Sequence, residues 1–454
     1  MLKTGRHPAA QRAAASHTAS LCSDEAVVSA ALRQAGAHVV EDGKTLLDVA
    51  SALDRQPPLR GKRVGIITNS GGTGVELADL LEEKGLAVPA LSPALQASIA
   101  SVLPPHGSAT NPIDVTTNWE RFPKMYACAM NALMESEEVD AIVPVLLQRS
   151  ALMPEVSGAV IAAAERARER GLEMPIHVCW VAPREADPNR ERLRAAGIPC
   201  HEWPITAANI IAATIAIPSR PLAQSSKRQP IAVPDWVDAD GWVNSAAAFS
   251  LLQQAGFPVA RWAIAADSAE AAAAAARLRF PVVLKAERPG LVHKSDACAV
   301  RLDLNDCDAV IAAFDDFRHR FGSGPALVQE QTTPGTELTI GAWRDPAFGP
   351  VVMAGLGGVW IEALKDTALR LAPVEAEEAL AMLDELKGQS ILRGLRGRPP
   401  VGVNQFARLI ADLSQWSAAA FWLGELDLNP IIANGDLFTI VDARMRVADR
   451  TTTT

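Results

Sequence analysis

The chain has 454 residues, 49% of them hydrophobic, and a net charge of -9 at pH 7. This length exceeds what one hydrophobic core supports, so we expect two or three α/β domains. The acidic balance argues against a nucleic-acid partner, because phosphates require a basic surface. No long uncharged apolar segment is present and the first residues lack the apolar core of a signal peptide, which predicts a cytoplasmic protein without a membrane partner. The six cysteines form no Cys-x-x-Cys pair, so neither a disulfide framework nor a zinc site is expected.

Four segments follow from the pattern of strands, helices and linkers. Residues 1–56 carry two predicted helices and are too few for a domain of their own. Residues 57–217 alternate continuous apolar strands with helices, which predicts a parallel sheet covered on both faces. Pro, Ser and charged residues without periodicity mark 218–237 as a linker, and a second α/β domain is predicted over 238–450. The clearest predicted helices cover 24–34, 46–53, 75–84 and 158–170, and the clearest strands cover 63–68, 141–146 and 176–180.

The first candidate functional residue is His17, in the sequence Ser16-His17-Thr18. It lies in a predicted loop just before the helix that starts near Asp24, where large phosphate-bearing groups could approach it. A neutral imidazole is a competent nucleophile and can accept a phosphoryl group. A surface histidine with Ser and Thr neighbours is also common in loops without any function, so both interpretations stay open at this point.

A glycine-rich sequence, Thr68-Asn-Ser-Gly-Gly-Thr-Gly74, is predicted as a loop between a strand and a helix. Glycines let the backbone approach a ligand, and the helix N-terminus offers free N–H groups at the positive end of the helix dipole. A phosphate or a phosphorylated side chain would fit there. The alternative is a tight turn without a ligand. The candidate residues are Ser70, Gly71, Gly72, Thr73 and Gly74.

Charged residues in the second α/β segment are spaced as in a nucleotide site. Lys285 ends the apolar strand over 280–285, and a buried lysine requires an anionic partner such as a phosphate. His293 and Lys294 add two more groups that can bind phosphate, in the loop that follows. Gln329 and Glu330, where a strand becomes polar, are predicted to bind an adenine edge through backbone groups and a carboxylate.

Further along, Glu337 is predicted to bind a ribose hydroxyl, and Gly357 and Gly358 form a flexible loop. Arg370 belongs to a polar cluster expected near the γ-phosphate. Each of these residues could singly be a structural charge or a turn. Their combination and order favour a nucleotide site.

Carboxylate and amide side chains gather near the C-terminus. Asp427 and Asn429 are two residues apart, so on a strand they point to the same face. The turn at 434–436 predicts a hairpin whose return strand brings Asp442 opposite them. Oxygen ligands of this kind suit Mg²⁺.

Taken together, these motifs resemble the NDP-forming acyl-CoA synthetase family, the ADP-forming acetate-CoA ligases related to succinyl-CoA synthetase. The resemblance covers the whole chain. It implies a flavodoxin-like, succinyl-CoA-synthetase-type parallel sheet domain followed by an ATP-grasp domain, with residues 1–56 as the remnant of a His-bearing domain. The matching motifs are 69–74 and 111–114 in the first half and 283–285, 293–296, 348–353, 357–358, 364–366, 370–373 and 425–430 in the second.

The family resemblance implies a function as well. It implies ATP-dependent ligation of a small carboxylic acid to coenzyme A with release of ADP, through an acyl phosphate and a phosphohistidine. His17 would be the phosphoryl carrier, the glycine-rich sequence at 70–74 its cradle, and Asp427, Asn429 and Asp442 the Mg²⁺ ligands. An oligomer is expected.

Two departures from the family pattern qualify this function. Ala297-Cys298-Ala299 stands where the family has a glycine pair, so side chains are expected to crowd the triphosphate. The family's N-terminal CoA-binding domain has no counterpart in the chain, so a partial or split enzyme with a partner chain carrying that domain is expected. The alternatives are a nucleotide-binding regulatory protein or inactive relic, and a protein acyltransferase, for whose extra module the chain has no room.

Overall fold

The computed structural model describes residues 1–4, 9, 10, 12, 24–216, 231, 232, 237, 238, 240–288, 291, 297–358, 361, 366–394 and 399–448. The chain divides into two compact units. Unit 1 comprises Met1–Thr4 and Gly36–Pro218, and unit 2 comprises Gly5–Ala35 and Ser219–Thr454. Among the described residues, no helix has the length and apolar character needed to cross a membrane.

Unit 1 is built on a five-stranded parallel sheet with the order β2-β1-β3-β4-β5. Successive residues of its strands are buried on opposite faces, so Ile66 packs with the helix that follows β1, and Ile67 packs with Phe122. The prediction of a parallel sheet covered on both faces is therefore confirmed. The elements are α2 (Gly43–Arg55), β1 (Val64–Thr68), α3 (Gly71–Glu83), α4 (Pro93–Ala100), β2 (Ile113–Asp114), α5 (Phe122–Ser136), β3 (Ala141–Leu147), α6 (Gln148–Leu152), α7 (Pro154–Glu169), β4 (Val178–Val181), α8 (Asp187–Ala195), β5 (Cys200–Glu202) and α9 (Pro204–Ala213).

The glycine-rich sequence differs from its prediction as a loop. Helix α3 already begins at Gly71, so the glycines form its first turn. The Ser70 side chain caps the helix by accepting a hydrogen bond from the Thr73 N–H at 3.4 Å. A Cβ at Gly74 would lie 2.8 Å from Thr68 Cγ2, so this glycine is required for close packing of α3 on β1.

Unit 2 contains two sheets. A four-stranded antiparallel sheet has the order β7-β10-β8-β9, and a larger sheet has the order β13-β12-β11-β14-β16-β6, with β15 paired to β14. We call them the small sheet and the large sheet. The elements are α1 (Glu25–Gln34), β6 (Trp242–Val243), α10 (Ser245–Gln254), β7 (Trp262–Ala265), α11 (Ser268–Leu278), β8 (Val282–Ala286), β9 (Val300–Leu304), α12 (Cys307–Phe321), β10 (Ala326–Glu330), β11 (Thr336–Asp345), β12 (Gly349–Leu356), β13 (Thr367–Leu371), α13 (Ala376–Asp384), α14 (Gln389–Leu392), α15 (Val403–Ala419), β14 (Leu423–Asn434), β15 (Leu437–Ile440) and β16 (Arg444–Val447).

One face of the large sheet is covered by helices. Ile340, Leu426 and Leu428 point into the same apolar core as Phe406 and Leu413 of α15. The outer edge of the same sheet is covered by α1. The Gln34 carboxamide donates to the Leu371 carbonyl at 3.1 Å and accepts from the Leu371 N–H at 2.9 Å, so it supplies the two hydrogen bonds that a neighbouring strand would supply to β13.

A pair of buried histidines lies within unit 1. The Nδ1 atom of His177 and the Nε2 atom of His201 are 3.0 Å apart, and the two rings stack with centroids 5.3 Å apart. Burial lowers the pKa of His177 well below its usual value, and the neighbouring His201 lowers it further. Burial also lowers the pKa of His201 to about 4. Both imidazoles are therefore neutral in the fold at pH 7.

This pair predicts an acid-sensitive unit 1. The unfolded chain binds protons at these histidines below about pH 6.5 while the fold does not, so stability is full above pH 6.5 and falls as the pH drops towards 4. We expect His201 alone to account for about 3 kcal/mol. Urea unfolding at pH 7, 6 and 5 measures this loss. An unchanged pH slope in the His177→Leu/His201→Leu double variant would contradict the assignment.

Candidate nucleotide and metal site

Strand register places the predicted metal ligands on the face of the large sheet that is not covered by helices. Asp427 is opposite Gly341, and its neighbours Leu426 and Leu428 point into the core. The pairing shifts after Leu428, so that two residues of β14, Asn429 and Pro430, oppose Thr339 alone. Such a β-bulge redirects side chains. Asn429 points to the same side as Asp427 by ordinary alternation, and the bulge returns Ile431 to the core face.

Asp442 reaches this site from a position that differs from the prediction. The hairpin turn is present, with Gly435 at φ +61°, but the return strand β15 ends at Ile440. Asp442 therefore lies in the connection from β15 to β16. From there its Oδ1 atom is 3.4 Å from Lys285 Nζ, which also donates to the Val441 carbonyl at 2.5 Å.

Lys285 thus joins the small sheet to the metal-ligand side of the large sheet. It is 7% exposed, and a lysine this deeply buried requires acceptors or counter-charges. The contacts with Asp442 and Val441 supply part of this requirement. Phosphate oxygens placed between the lysine and the carboxylates would supply more, if a metal ion held the negative groups together.

The electrostatics of Asp427 favour a cation. Burial raises its pKa to about 6; the Arg444 guanidinium lowers it, and the carboxylates of Asp442 and Glu425 raise it. Carboxylates gathered in a partly buried place are stabilised by a divalent ion. In the part of the chain described above, no three His, Cys, Asp or Glu side chains converge. Two carboxylates and one amide oxygen are too few ligands to bind Mg²⁺ through the protein alone. They suit a Mg²⁺ ion that is also coordinated by phosphate oxygens.

The predicted glycine loop lies against the same residues. The Gly358 N–H donates to Asn429 Oδ1 at 2.9 Å, and the Gly357 N–H donates to the Glu337 carbonyl at 2.9 Å. Gly358 has φ +60°, and a Cβ there would lie 1.5 Å from Glu337 Oε2. Only glycine combines this backbone conformation with this approach. Glu337, Asn429 and the glycine pair therefore belong to one cluster.

The two predicted adenine-binding residues point to opposite faces of the small sheet. Gln329 is paired with Val283, and Leu327 with Lys285, so the Gln329 side chain shares the face of Lys285. Glu330 is turned the other way, and its carboxylate is 3.5 Å from Arg261 Nη1. The predicted contact of the Glu330 carboxylate with adenine is therefore not retained, and the contact predicted for Gln329 stays a prediction.

Arg370 also lies outside the candidate nucleotide site. It is paired with Val352, whose row across the sheet continues to Ala342 and Leu426 on the helix-covered face, opposite to Asp427. Its guanidinium pairs with Glu378 at 2.5 Å and with Glu385 at 2.5 Å. A buried arginine held by two carboxylates is a structural ion pair. The alternation of faces along β13 therefore contradicts the prediction that Arg370 lies near the γ-phosphate.

The phosphate cradle predicted at 70–74 lies in unit 1, at the carboxyl end of β1. Among its neighbours, Asn69 Oδ1 accepts hydrogen bonds from Ser150 Oγ at 2.9 Å and from Tyr126 Oη at 3.2 Å. The Asp114 Oδ2 atom would lie 3.3 Å from a Cβ at Gly71. The cradle thus has one carboxylate beside its first turn, and its binding of phosphate stays a prediction.

Several predicted residues fall outside the described ranges. These are His17, His293 and Lys294, whose roles stay predictions. The neighbouring Cys298 is described: it is exposed, with φ +52°, a backbone conformation that favours glycine. Whether it crowds a triphosphate stays a prediction.

One residue of the site was missed by the sequence patterns. Thr339 is fully buried on the side of the sheet that carries Glu337 and Asp427, and its hydroxyl has no hydrogen-bond partner among the described residues. Thr339 is two residues after Glu337, so strand alternation could have predicted that it lies on the same face. A threonine in an apolar strand is usually a packing residue, however, and no sequence pattern singled it out.

Three family models match the chain. The model of a succinyl-CoA ligase like flavodoxin domain matches residues 1–53, that of a Ligase-CoA domain matches 64–216, and that of an ATP-grasp domain matches 237–447. The chain is also 34% identical to the acetate–CoA ligase [ADP-forming] I subunit beta of Pyrococcus furiosus over 43% of its own length and 87% of that subunit. The chain belongs to the ADP-forming acetate–CoA ligase family. The sequence-based prediction of the family and of its two folds is confirmed.

Longer members of the ligase family are similar over nearly the whole chain. The acetate–CoA ligase [ADP-forming] I of Archaeoglobus fulgidus is 31% identical over 98% of this chain and 65% of its own length. The 4-hydroxybutyrate–CoA ligase [ADP-forming] of Nitrosopumilus maritimus is 28% identical over 98% of this chain and 66% of its own length. The chain therefore spans about two thirds of the length of these ligases.

The close approach at Gly358 predicts a specific loss of nucleotide binding. Gly358→Ala forces the Glu337 carboxylate to move, so we expect ATP to bind at least tenfold more weakly by calorimetry. Gly349→Ala is the matched control, because Gly349 has φ +78° with open space around it. Both variants should lose about 1 kcal/mol of stability from the left-handed backbone conformation. Equal ATP affinities in the two variants would refute the role of the cluster.

Because Arg370 is assigned to a structural ion pair, we expect its replacement to lower stability and to leave ATP binding unchanged. Arg370→Met leaves two carboxylates without their cation, so we expect a loss of about 3 kcal/mol in urea unfolding. ATP affinity, measured well below the unfolding temperature, should stay within twofold of that of the exposed control Arg408→Met. Tenfold weaker ATP binding by a folded Arg370→Met protein would contradict this assignment and support a role for Arg370 in the nucleotide site.

Proposed function

We propose that this chain supplies the nucleotide site and the phosphoryl carrier of an ADP-forming acyl-CoA ligase. The overall reaction joins ATP, a carboxylic acid and CoA to give acyl-CoA, ADP and phosphate, and it is reversible. The observation that carries the proposal is the contact of Lys285 with Asp442 in a chain of this family, beside Asp427 and Asn429. A phosphate bound by Lys285 would there lie next to hard oxygen ligands, which supports the proposal.

Each residue has a proposed task at this site. Lys285, with Lys294 and His293, binds the phosphates, and Glu337 binds the ribose. Asp427, Asn429 and Asp442 hold Mg²⁺, which screens the charge on the transferred phosphoryl group when bound. The protein contributes mainly position and electrostatic complementarity, since phosphoryl transfer requires little covalent chemistry from the protein.

His17 is proposed as the carrier between two sites. In the direction of acyl-CoA synthesis, an imidazole nitrogen of His17 takes the γ-phosphoryl group of ATP and ADP leaves. The phosphohistidine then passes its phosphoryl group to a carboxylate oxygen of the acid, which gives the acyl phosphate and restores His17. The CoA thiol attacks the acyl carbon, the bond from that carbon to the phosphate oxygen breaks, and inorganic phosphate leaves; each step is reversible. The first turn of α3, with Ser70 and Thr73, is proposed to hold the phosphohistidine through free N–H groups and the helix dipole.

For CoA binding and for assembly, the proposal names no individual residues. Relatives of this chain include a separately named beta subunit, so a part corresponding to the remaining third of the longer ligases, on the same or another polypeptide, is proposed to complete the CoA site. An oligomer and a cytoplasmic location stay predictions. The printed names of the relatives differ in their acid, acetate or 4-hydroxybutyrate, so the proposal names only the class of carboxylic acids.

The carrier role predicts a covalent label. Incubation with ATP labelled on the γ-phosphate and Mg²⁺ should give an acid-labile, base-stable label, because phosphohistidine carries a phosphoramidate bond. His17→Ala should remove at least nine tenths of this label. His319→Ala, which changes an exposed histidine of α12, is the matched control and should label as the wild type does. Equal labelling of the two variants would rule out His17 as the carrier.

A further inference from the structure

A turn centred on Cys298 adjoins the strand that carries Lys285. The Ala286 N–H donates to the Ala299 carbonyl at 2.9 Å, and Val300, the first residue of β9, is opposite Lys285. Cys298 is two residues before Val300, so its backbone lies within about 7 Å of the position opposite the lysine. The conformation of this turn therefore sets the course of the backbone beside the proposed phosphate-binding lysine.

Cys298 has a backbone conformation that a cysteine disfavours. Its φ of +52° lies in the left-handed region, where a Cβ approaches the following carbonyl oxygen. Relative to glycine, the Cβ selects against this conformation by roughly a factor of ten. The surrounding structure must therefore hold the turn, because the residue does not favour it by itself.

Two arginines hold the turn through its carbonyl groups. Arg320 donates from Nη1 to the Cys298 carbonyl and from Nη2 to the Ala297 carbonyl, both at 3.1 Å. Arg301 Nη1 donates to the same Cys298 carbonyl, also at 3.1 Å. Both guanidinium groups are paired with the Asp316 carboxylate, at 2.8 Å from Arg301 and 3.6 Å from Arg320. We call these three side chains the arginine clamp.

Packing on α12 restricts both guanidinium groups. That of Arg301 lies 5.6 Å from the ring centroid of Phe317, and that of Arg320 lies 4.8 Å from the ring centroid of Phe321. Such cation–π contacts limit the rotamers of long side chains. Arg301 is opposite Leu284, whose side chain belongs to the helix-covered core of the small sheet. The arginine clamp therefore holds the turn from the helix-covered face.

The turn is the point at which the proposed phosphate-binding segment joins the small sheet. His293 and Lys294 precede Cys298 by five and four residues and lie outside the described residues. Because β9 is paired with β8 beside Lys285, a fixed turn gives that segment one starting point and direction next to the lysine. A turn without a fixed conformation would allow many directions, and phosphate binding would then include the entropic cost of ordering the segment.

We infer that Arg301 and Arg320 are positioning residues for phosphate binding and act by holding Cys298 in its left-handed conformation. Glycine adopts that conformation without help, whereas this chain carries a cysteine and supplies the arginine clamp. The clamp acts through the backbone of the turn and does not touch the nucleotide. This inference rests on the proposed function, because it takes His293 and Lys294 to bind phosphate.

Removal of one arginine should weaken phosphate binding whether or not a base is attached. Arg320→Met keeps the length of the side chain and removes all of its donors. With Mg²⁺ present, we expect its affinities for ATP and for inorganic tripolyphosphate to fall together, at least fivefold by calorimetry. Arg318→Met is the matched control, because Arg318 belongs to the same helix and pairs with Asp315 at 3.6 Å instead of with the turn. Its two affinities should stay within twofold of the wild type.

Substitution of Cys298 separates the arginine clamp from a general effect on the fold. In Arg320→Met/Cys298→Gly, both affinities should lie within twofold of those of Cys298→Gly alone, because glycine needs no clamp. Arg320→Met/Cys298→Ala should bind at least fivefold more weakly than Cys298→Ala, because alanine keeps the Cβ and removes only the thiol. A mere loss of stability would not depend on which of the two small residues occupies position 298.

Three results would overturn the positioning role. They are unchanged affinities of Arg320→Met, a loss of affinity for ATP without a loss for tripolyphosphate, and an equal effect of glycine and alanine at position 298. If the wild type binds ATP and carries the His17 label while one of these results is found, the positioning role fails alone. If the wild type binds neither ATP nor tripolyphosphate and carries no label, the proposed function fails.

Discussion

The contact between Lys285 and Asp442 is the interaction on which the site depends. A lysine that is 7% exposed cannot remain charged without nearby acceptors, and the Val441 carbonyl and the Asp442 carboxylate supply them. These acceptors belong to the segment after β15, whereas the lysine belongs to the small sheet. The contact therefore joins the two sheets of unit 2 and brings the proposed phosphate-binding lysine to one of the proposed metal ligands. A buried ion pair of this kind contributes more to specificity of arrangement than to net stability.

Strand alternation decides which of the polar residues can take part. Asp427 and Arg370 belong to neighbouring parts of one sheet, yet adjacent rows of the register turn them to opposite faces. Asn429 shares the side of Asp427 by ordinary strand alternation, and the bulge at Thr339 returns Ile431 to the core face. This one-residue irregularity keeps the core closed below the two proposed metal ligands.

Much of this arrangement follows from sequence patterns. Continuous apolar strands between helices predicted the parallel sheet of unit 1, and the spacing of Asp427 and Asn429 predicted a shared face. The patterns failed where tertiary pairing decides. The first turn of α3 was predicted as a loop in which glycines let the backbone approach a ligand, yet Ser70 caps the helix at Gly71. Arg370 and Glu330 were assigned by their chemistry, and only strand register shows that they face away from the site. One histidine of the pair in unit 1 lies just before β4 and the other lies on β5, 24 residues further along the chain, and no local pattern reveals the pair.

The central claim is that Asp427, Asn429 and Asp442 form one metal site completed by nucleotide phosphates. Titration with Mn²⁺, followed by its electron paramagnetic resonance signal with and without ATP, tests it most directly. Wild-type protein with ATP should bind one Mn²⁺ per chain, and Asp442→Asn should bind it at least tenfold more weakly. Asp436→Asn, which changes an exposed carboxylate in the nearby hairpin turn, should match the wild type. Equal Mn²⁺ affinities for the two variants in the presence of ATP would contradict the claim.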